Sequence, residues 1–125
     1  MPRIPKAINI AEKLALFSDH WSPRIIAQLN DNHVKLAKVE GRFAWHKHDD
    51  TDELFLVIKG TLNIDIRDKT CERTIVLSQG ELHVVPKGLE HAPHAQEECH
   101  ILMIEPAGTL NTGDADQDGT TGEWI

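Results

Sequence analysis

From residue 24 onward, apolar and polar positions alternate in short runs separated by Gly, Asn, Asp and Pro. Residues 62–67 give the clearest run: Leu62, Ile64 and Ile66 alternate with Asn63, Asp65 and Arg67. Side chains point to opposite faces in turn along a strand, so this segment reads as a half-buried strand. Residues 24–29 and 33–40 flank the turn signal Asn30-Asp31-Asn32. Residues 43–48, 54–59, 72–77, 82–85, 91–95 and 99–105 continue the rhythm. Pro86-Lys87-Gly88 has the residues of a type I turn.

One segment has a helical period. Ile10, Leu14 and Phe17 fall on one stripe within residues 9–17, and Asn9 with Glu12 has the spacing of a reciprocal N-cap. Pro2 and Pro5 make residues 1–6 a loose arm. About nine short strands and one helix predict an all-β barrel or sandwich. We expect an arm and short helix over residues 1–20, the barrel over 21–106 and an acidic Gly/Thr/Asp-rich tail over 107–125. That tail is expected to be mobile, with Trp124 and Ile125 able to dock on the body.

Within the strand that follows Glu53, parity adds detail. If Glu53 points inward, so do Phe55 and Val57, while Leu54, Leu56 and Ile58 point outward. An apolar outer face needs cover, either the N-terminal helix or a second subunit, and a homodimer is the expected assembly.

Length and composition narrow the picture. The 125 residues suffice for one domain with its own core. Asp and Glu outnumber Lys and Arg by 20 to 13, a net charge of -7. A chain of that charge without a basic run is not expected to bind nucleic acid or an anionic membrane. No stretch has the length of an apolar membrane span and no secretory leader is visible, so a cytoplasmic location is expected. Cys71 and Cys99 lack CxxC spacing and read as reduced cysteines in strand segments.

Candidate chemistry gathers at Trp45-His46-Lys47-His48-Asp49-Asp50-Thr51-Asp52-Glu53. On a strand, His46 and His48 share a face; the Asp-rich run reverses the chain, and Glu53 opens the returning strand. His91, after the Pro86 turn, is a fourth candidate. Three imidazoles and a carboxylate suit one divalent transition metal (Zn, Mn, Fe, Ni, Co or Cu), whereas Mg or Ca favours all-oxygen ligands. His94 lies on the opposite face from His91 by parity, with a supporting role to the site as its alternative. Trp45 is a core residue or a wall of the pocket. Asp114-Ala115-Asp116-Gln117-Asp118-Gly119 copies the start of a calcium loop, but Ile125 stands where that loop needs its bidentate Glu.

These residues form two spaced motifs. Gly41, then four residues, His46-Lys47-His48, four residues, Glu53, six residues and Gly60 resembles the first cupin motif. Gly80, then five residues, Pro86-Lys87-Gly88, two residues and His91 resembles the second. The gap after Gly41 is one residue shorter than usual, and Ala95 stands where the second motif often ends in Asn. The resemblance implies a cupin-type double-stranded β-helix, or jelly-roll barrel, with one metal on His46, His48, Glu53 and His91. The whole chain is similar to single-domain cupins grouped with mannose-6-phosphate isomerases. It implies a metalloenzyme acting on a small polar metabolite by isomerase- or dioxygenase-type chemistry, or else a non-catalytic module that binds or senses a small ligand.

Overall fold

The computed structural model describes residues 4–125, so the first half of the expected arm, residues 1–3, lies outside the described residues. One short helix, α1 (Ile10–Leu14), precedes eight strands: β1 (Arg24–Leu29), β2 (Asn32–Arg42), β3 (Glu53–Lys59), β4 (Leu62–Arg67), β5 (Glu72–Leu77), β6 (Leu82–Val85), β7 (Glu90–Pro106) and β8 (Glu123–Trp124). Asn9 caps α1, its side chain accepting the Glu12 N–H at 2.9 Å. Five residues are too few for a helix to persist alone. Packing holds it instead: Leu14 and Phe17 bury against Ile26 and Leu36, while Ile10 remains exposed.

The strands form a single jelly-roll sheet in the order β5-β4-β7-β2-β1-β8, with β3 between β7 and β6. β7 is the spine. Along one edge it pairs with β2; along the other it pairs first with β4 and then with β3. Two strands were expected here, interrupted at the polar Gln96-Glu97-Glu98, yet the chain runs through that exposed stretch as one 17-residue strand. The β2 partner absorbs the irregularity with a register shift between Val39 and Gly41. Gly60, at φ +91°, turns β3 into β4 against this bend. A β-carbon there would stand 3.2 Å from the Glu98 carbonyl oxygen and 3.3 Å from Cys99 Cα.

Residues 43–48 do not form the expected strand. They run beside β7 with one isolated bridge, in which His46 and His91 exchange N–H···O bonds of 3.0 and 2.8 Å. Gly41, at φ +80°, and the non-ladder bond from Phe43 N to Pro93 O break the regular pairing.

Burial follows the expected parity in β3. Glu53, Phe55 and Val57 are buried; Leu54, Leu56 and Ile58 are half-exposed. Phe55 and Val57 join Ala37, Val39, Ile64, Ile101 and Met103 in the barrel interior. Ile58 is covered by the α1 cluster. Leu54 and Leu56 instead pair across the sheet with Val84 and Leu82, both exposed.

The tail is pinned rather than free. β8 adds to β1 in parallel, Ile125 N donates to Ile25 O at 3.1 Å, and Lys13 Nζ reaches Ile125 O at 2.8 Å. Ile125 packs on the α1 cluster, whereas the Trp124 side chain stays exposed with its ring edge-on to His33. Among the described residues no helix is long and apolar enough to cross a membrane.

The two cysteines part company. Cys99 is buried in β7, and burial pushes its thiol up to about 11. Cys71 is exposed in the turn between β4 and β5, not in a strand as expected, because Asp68 Oδ1 accepts the Thr70 and Cys71 N–H groups and fixes a tight reversal there. Iodoacetamide at pH 8 should therefore modify Cys71 and spare Cys99 in the native protein. Mass mapping showing equal labelling of both would contradict this burial.

Candidate metal centre

Local bonds bring the four candidate side chains to one point. The β3–β6 register sets Glu53 opposite Val85, just before the Pro86 turn. Gly88 N donates to the His48 carbonyl at 2.8 Å, and Lys87 N donates to Asp52 Oδ1 at 2.9 Å, so the turn clamps both ends of the Asp-rich loop. His91 enters on β7, beside His46 through the bridge and beside Ile66 of β4. The tail braces the loop from outside: Lys47 N donates to Asp114 Oδ1 at 2.8 Å, and Asp114 N to Lys47 O at 3.2 Å. Gly113 sits so close to the Lys47 carbonyl and the His46 ring that a β-carbon there would collide with both.

His46, His48, Glu53 and His91 are all buried, and each offers one ligand atom within 4.8 Å of the others. The imidazoles are oriented from behind. His46 Nδ1 lies 2.8 Å from Ala44 O and His91 Nδ1 lies 3.0 Å from Leu89 O, contacts that place the N–H on Nδ1 and leave Nε2 as the free donor atom. Glu53 stands between the other two rings, with Oε2 3.5 Å from His48 Nε2 and Oε1 3.5 Å from His91 Nε2. His48 Nε2 and His91 Nε2 are buried without a hydrogen-bond partner.

Electrostatics favour a neutral His46 ring near a charged carboxylate. Burial, reinforced by the neighbouring His91, holds His46 down to about 4. Burial alone would raise Glu53, but hydrogen bonds with Glu105, His48 and His91 outweigh it and hold the carboxyl well below its usual range. Three imidazole nitrogens and one carboxylate oxygen, two of the nitrogens buried without a partner, are a donor set that fits a first-row divalent cation.

Two spaces adjoin the site. Inside the barrel, a small cavity is lined by Trp21, Phe43, Phe55 and Met103, together with His46 and Glu53. Trp21 stacks on Phe43 at 4.8 Å, and Phe43 meets His46 edge-on. Outside, a wider polar cleft of about 460 Å³ opens at His48, between Lys47-to-Thr51 and residues 106–110 with Gly113 and Asp114.

The remaining sequence candidates go elsewhere. Trp45 does not line the cavity; it lies under the Arg67 guanidinium at 4.0 Å. His94 points outward, as parity required, and its Nε2 lies 3.0 Å from Asp65 Oδ1. Asp114, from the calcium-like run, uses Oδ1 to accept the Lys47 N–H. Sequence reasoning missed Trp21, Phe43, Lys35 and Glu105. Parity could have found the last two, because each is a charge at an inward position of an otherwise apolar alternation: Lys35 with Ala37 and Val39, Glu105 with Ile101 and Met103.

Against this geometry, comparison with known proteins is decisive on the family: residues 32–105 match the Cupin domain. The chain belongs to the cupin family. This cupin is 41% identical over 99 residues to the uncharacterized protein YdbB of Bacillus subtilis, covering 79% of each chain. It is 56% identical to a cupin-2 domain containing protein from Shewanella frigidimarina, with a TM-score of 0.75 over 79% of this chain and 93% of the other. It also shares its fold with hydroquinone 1,2-dioxygenase from Sphingomonas sp. TTNP3, at 20% identity and a TM-score of 0.72 over 81% of this chain and 32% of that one. The matched cupin segment ends at Glu105, so Gly113 and Asp114, which brace the His46–His48 loop, come from outside it.

The outward network around His94 yields a pH test. Thr74, Arg42 and His94 all bond Asp65, and together they hold its carboxyl well below the usual range. A depressed carboxyl contributes stability above its unfolded value near 3.9 and loses it as pH falls through the folded value. Asp65→Asn should therefore cost about 2 kcal/mol at pH 7. The difference from wild type should close as pH drops below about 4. Urea unfolding across pH 2–7 checks this; a constant gap would contradict it.

Proposed function

We propose that His46, His48, Glu53 and His91 hold one divalent transition metal (Zn, Mn, Fe, Ni, Co or Cu), and that this cupin is a metalloenzyme acting on a small polar metabolite. The observation that carries the reading is the pair of buried, unpartnered imidazole nitrogens turned on a buried carboxylate. When bound, the metal supplies Lewis acidity, or redox chemistry if it is a redox-active ion. The protein does the rest. The Ala44 and Leu89 carbonyls hold two rings by Nδ1, and Trp21 with Phe43 keeps bulk water from the inner side. The cleft at His48 admits the metabolite, with Lys47 and Asp50 among its polar lining.

Dioxygenase-type chemistry fits this cleft better than sugar-phosphate isomerisation. Phosphate recognition favours a guanidinium or a free ammonium. The cation lining the cleft is Lys47, and its Nζ is taken by Asp49 at 2.8 Å. Arg42 is bound to Asp65 on the outer surface. The same engagement of Lys47, Asp49 and Asp114 favours a second reading, a non-catalytic module that binds a small ligand at the metal. In either case two copies are proposed to pair through Leu54, Leu56, Leu82 and Val84, the apolar face a single chain leaves uncovered.

Wild-type protein titrated with Zn²⁺ or Co²⁺ against a chromophoric chelator should bind one ion. His48→Ala should weaken binding by more than about 100-fold while the far-ultraviolet spectrum is unchanged. Full occupancy in the variant would remove His48 from the site. Oxygen uptake and product formation by protein loaded with each metal, run over a panel of small hydroxylated and carboxylated metabolites, separates the two readings. Turnover above that of free metal supports the enzyme; ligand-dependent thermal shifts with no turnover support the module.

A further inference from the structure

Behind Glu53, on the side away from the imidazoles, the barrel contains a second pair of charges. Lys35 and Glu105 are each 1% exposed, and Lys35 Nζ lies 2.8 Å from Glu105 Oε1. Both point inward by strand parity, since Lys35 shares its face with the buried Ala37 and Val39, and Glu105 with Cys99, Ile101 and Met103. One step beyond the Leu54–Ile104 pair, the β3–β7 register sets Glu53 directly opposite Glu105. Side chains so opposed have β-carbons about 5 Å apart, and two like charges there repel. Two facing carboxyls deep in a barrel therefore need a reason to coexist.

The contacts supply one. Glu105 Oε1 is taken by Lys35, which also lies 3.4 Å from the Thr109 carbonyl. Glu105 Oε2 is buried and has no donor of its own. The Glu53 carboxyl lies within hydrogen-bonding reach of the Glu105 carboxyl so held.

We propose that Lys35 and Glu105 form a buried brace that positions Glu53, Lys35 fixing the Glu105 carboxyl and Glu105 backing the facing Glu53 carboxyl so that it stays turned toward His48 and His91. The inference rests on the metal-site reading above and adds to it two positioning residues that touch no ligand. Stability alone does not account for the pair. Well-packed apolar residues of similar volume commonly replace a buried ion pair with no loss, and often with a gain. Groups that orient a metal ligand, by contrast, typically carry 10–100-fold in metal affinity.

That contrast sets the experiment. Wild type, Glu105→Gln, the double variant Lys35→Met with Glu105→Leu, and His48→Ala are stripped with chelator, melted, and titrated with Co²⁺ while the visible spectrum is recorded. The double variant should melt near wild type or above it, yet bind Co²⁺ about 10–100-fold more weakly and with an altered spectrum. Glu105→Gln keeps the side-chain length and an acceptor for Lys35, so it should retain wild-type affinity and spectrum. Should the double variant not fold, Glu105→Asp, which keeps a carboxyl but draws it back from Glu53, should show the same weakening. A folded double variant, or in its place Glu105→Asp, with wild-type affinity and spectrum overturns the brace. If wild type binds Co²⁺ no better than His48→Ala, the metal site fails and the brace fails with it. Metal binding lost in His48→Ala but untouched by the brace variants overturns the brace alone.

Discussion

A carboxylate sealed inside a barrel is the constraint around which this structure is arranged. Glu53 is 3% exposed, and an ionised group removed from water is tolerated only with partners that restore what hydration gave it. It occupies the first residue of β3, with His48 and His91 against its two oxygens and Glu105 opposite on β7. The surroundings follow from that placement. The Pro86 turn clamps the loop carrying His48, the bridge to His91 fixes His46, and Trp21 and Phe43 close the inner side. Each contact narrows the choices left to the carboxylate. A small cation at this point would answer the negative charge and both orphaned nitrogens together.

Much of this was legible in the chain because the signals were local. Alternation at Leu62, Ile64 and Ile66 gave β4, and the parity of Glu53, Phe55 and Val57 gave the inner face of β3. The histidine spacings singled out four residues that the fold brings together. What escaped depends on partners distant in sequence. Residues 43–48 have the composition of a strand, yet bonds to His91 and Pro93 hold them in an irregular path. Gln96-Glu97-Glu98 reads as a break, but the ladders on either side carry β7 through it. Lys35 and Glu105 were visible as charges at apolar-phase positions, and only the β2–β7–β3 register says that they meet behind Glu53.

The tail shows the same principle from the other direction. Residues 107–125 have the composition of a solvated extension, rich in Gly, Thr and Asp. Individual atoms nevertheless find fixed partners: Asn111 donates to the Trp21 carbonyl, Asp114 holds the Lys47 backbone, and the chain end adds to β1. Gly113 is required where it is because nothing larger fits against Lys47 and His46. A segment outside the matched cupin domain is thus built into the wall of the centre.

The length of β7 has a temporal consequence. It pairs with β2, β3 and β4 at once, and it carries both His91 and Glu105. During synthesis, the segments that hold His46, His48 and Glu53 emerge first but have no common neighbour to close against. Contacts between residues so distant in sequence form late and slowly. The four-residue cluster therefore comes into being only once β7 has been made. Until then, the apolar strands that precede β7 stand open on the ribosome, and the nascent chain is more exposed to misassembly than the finished barrel.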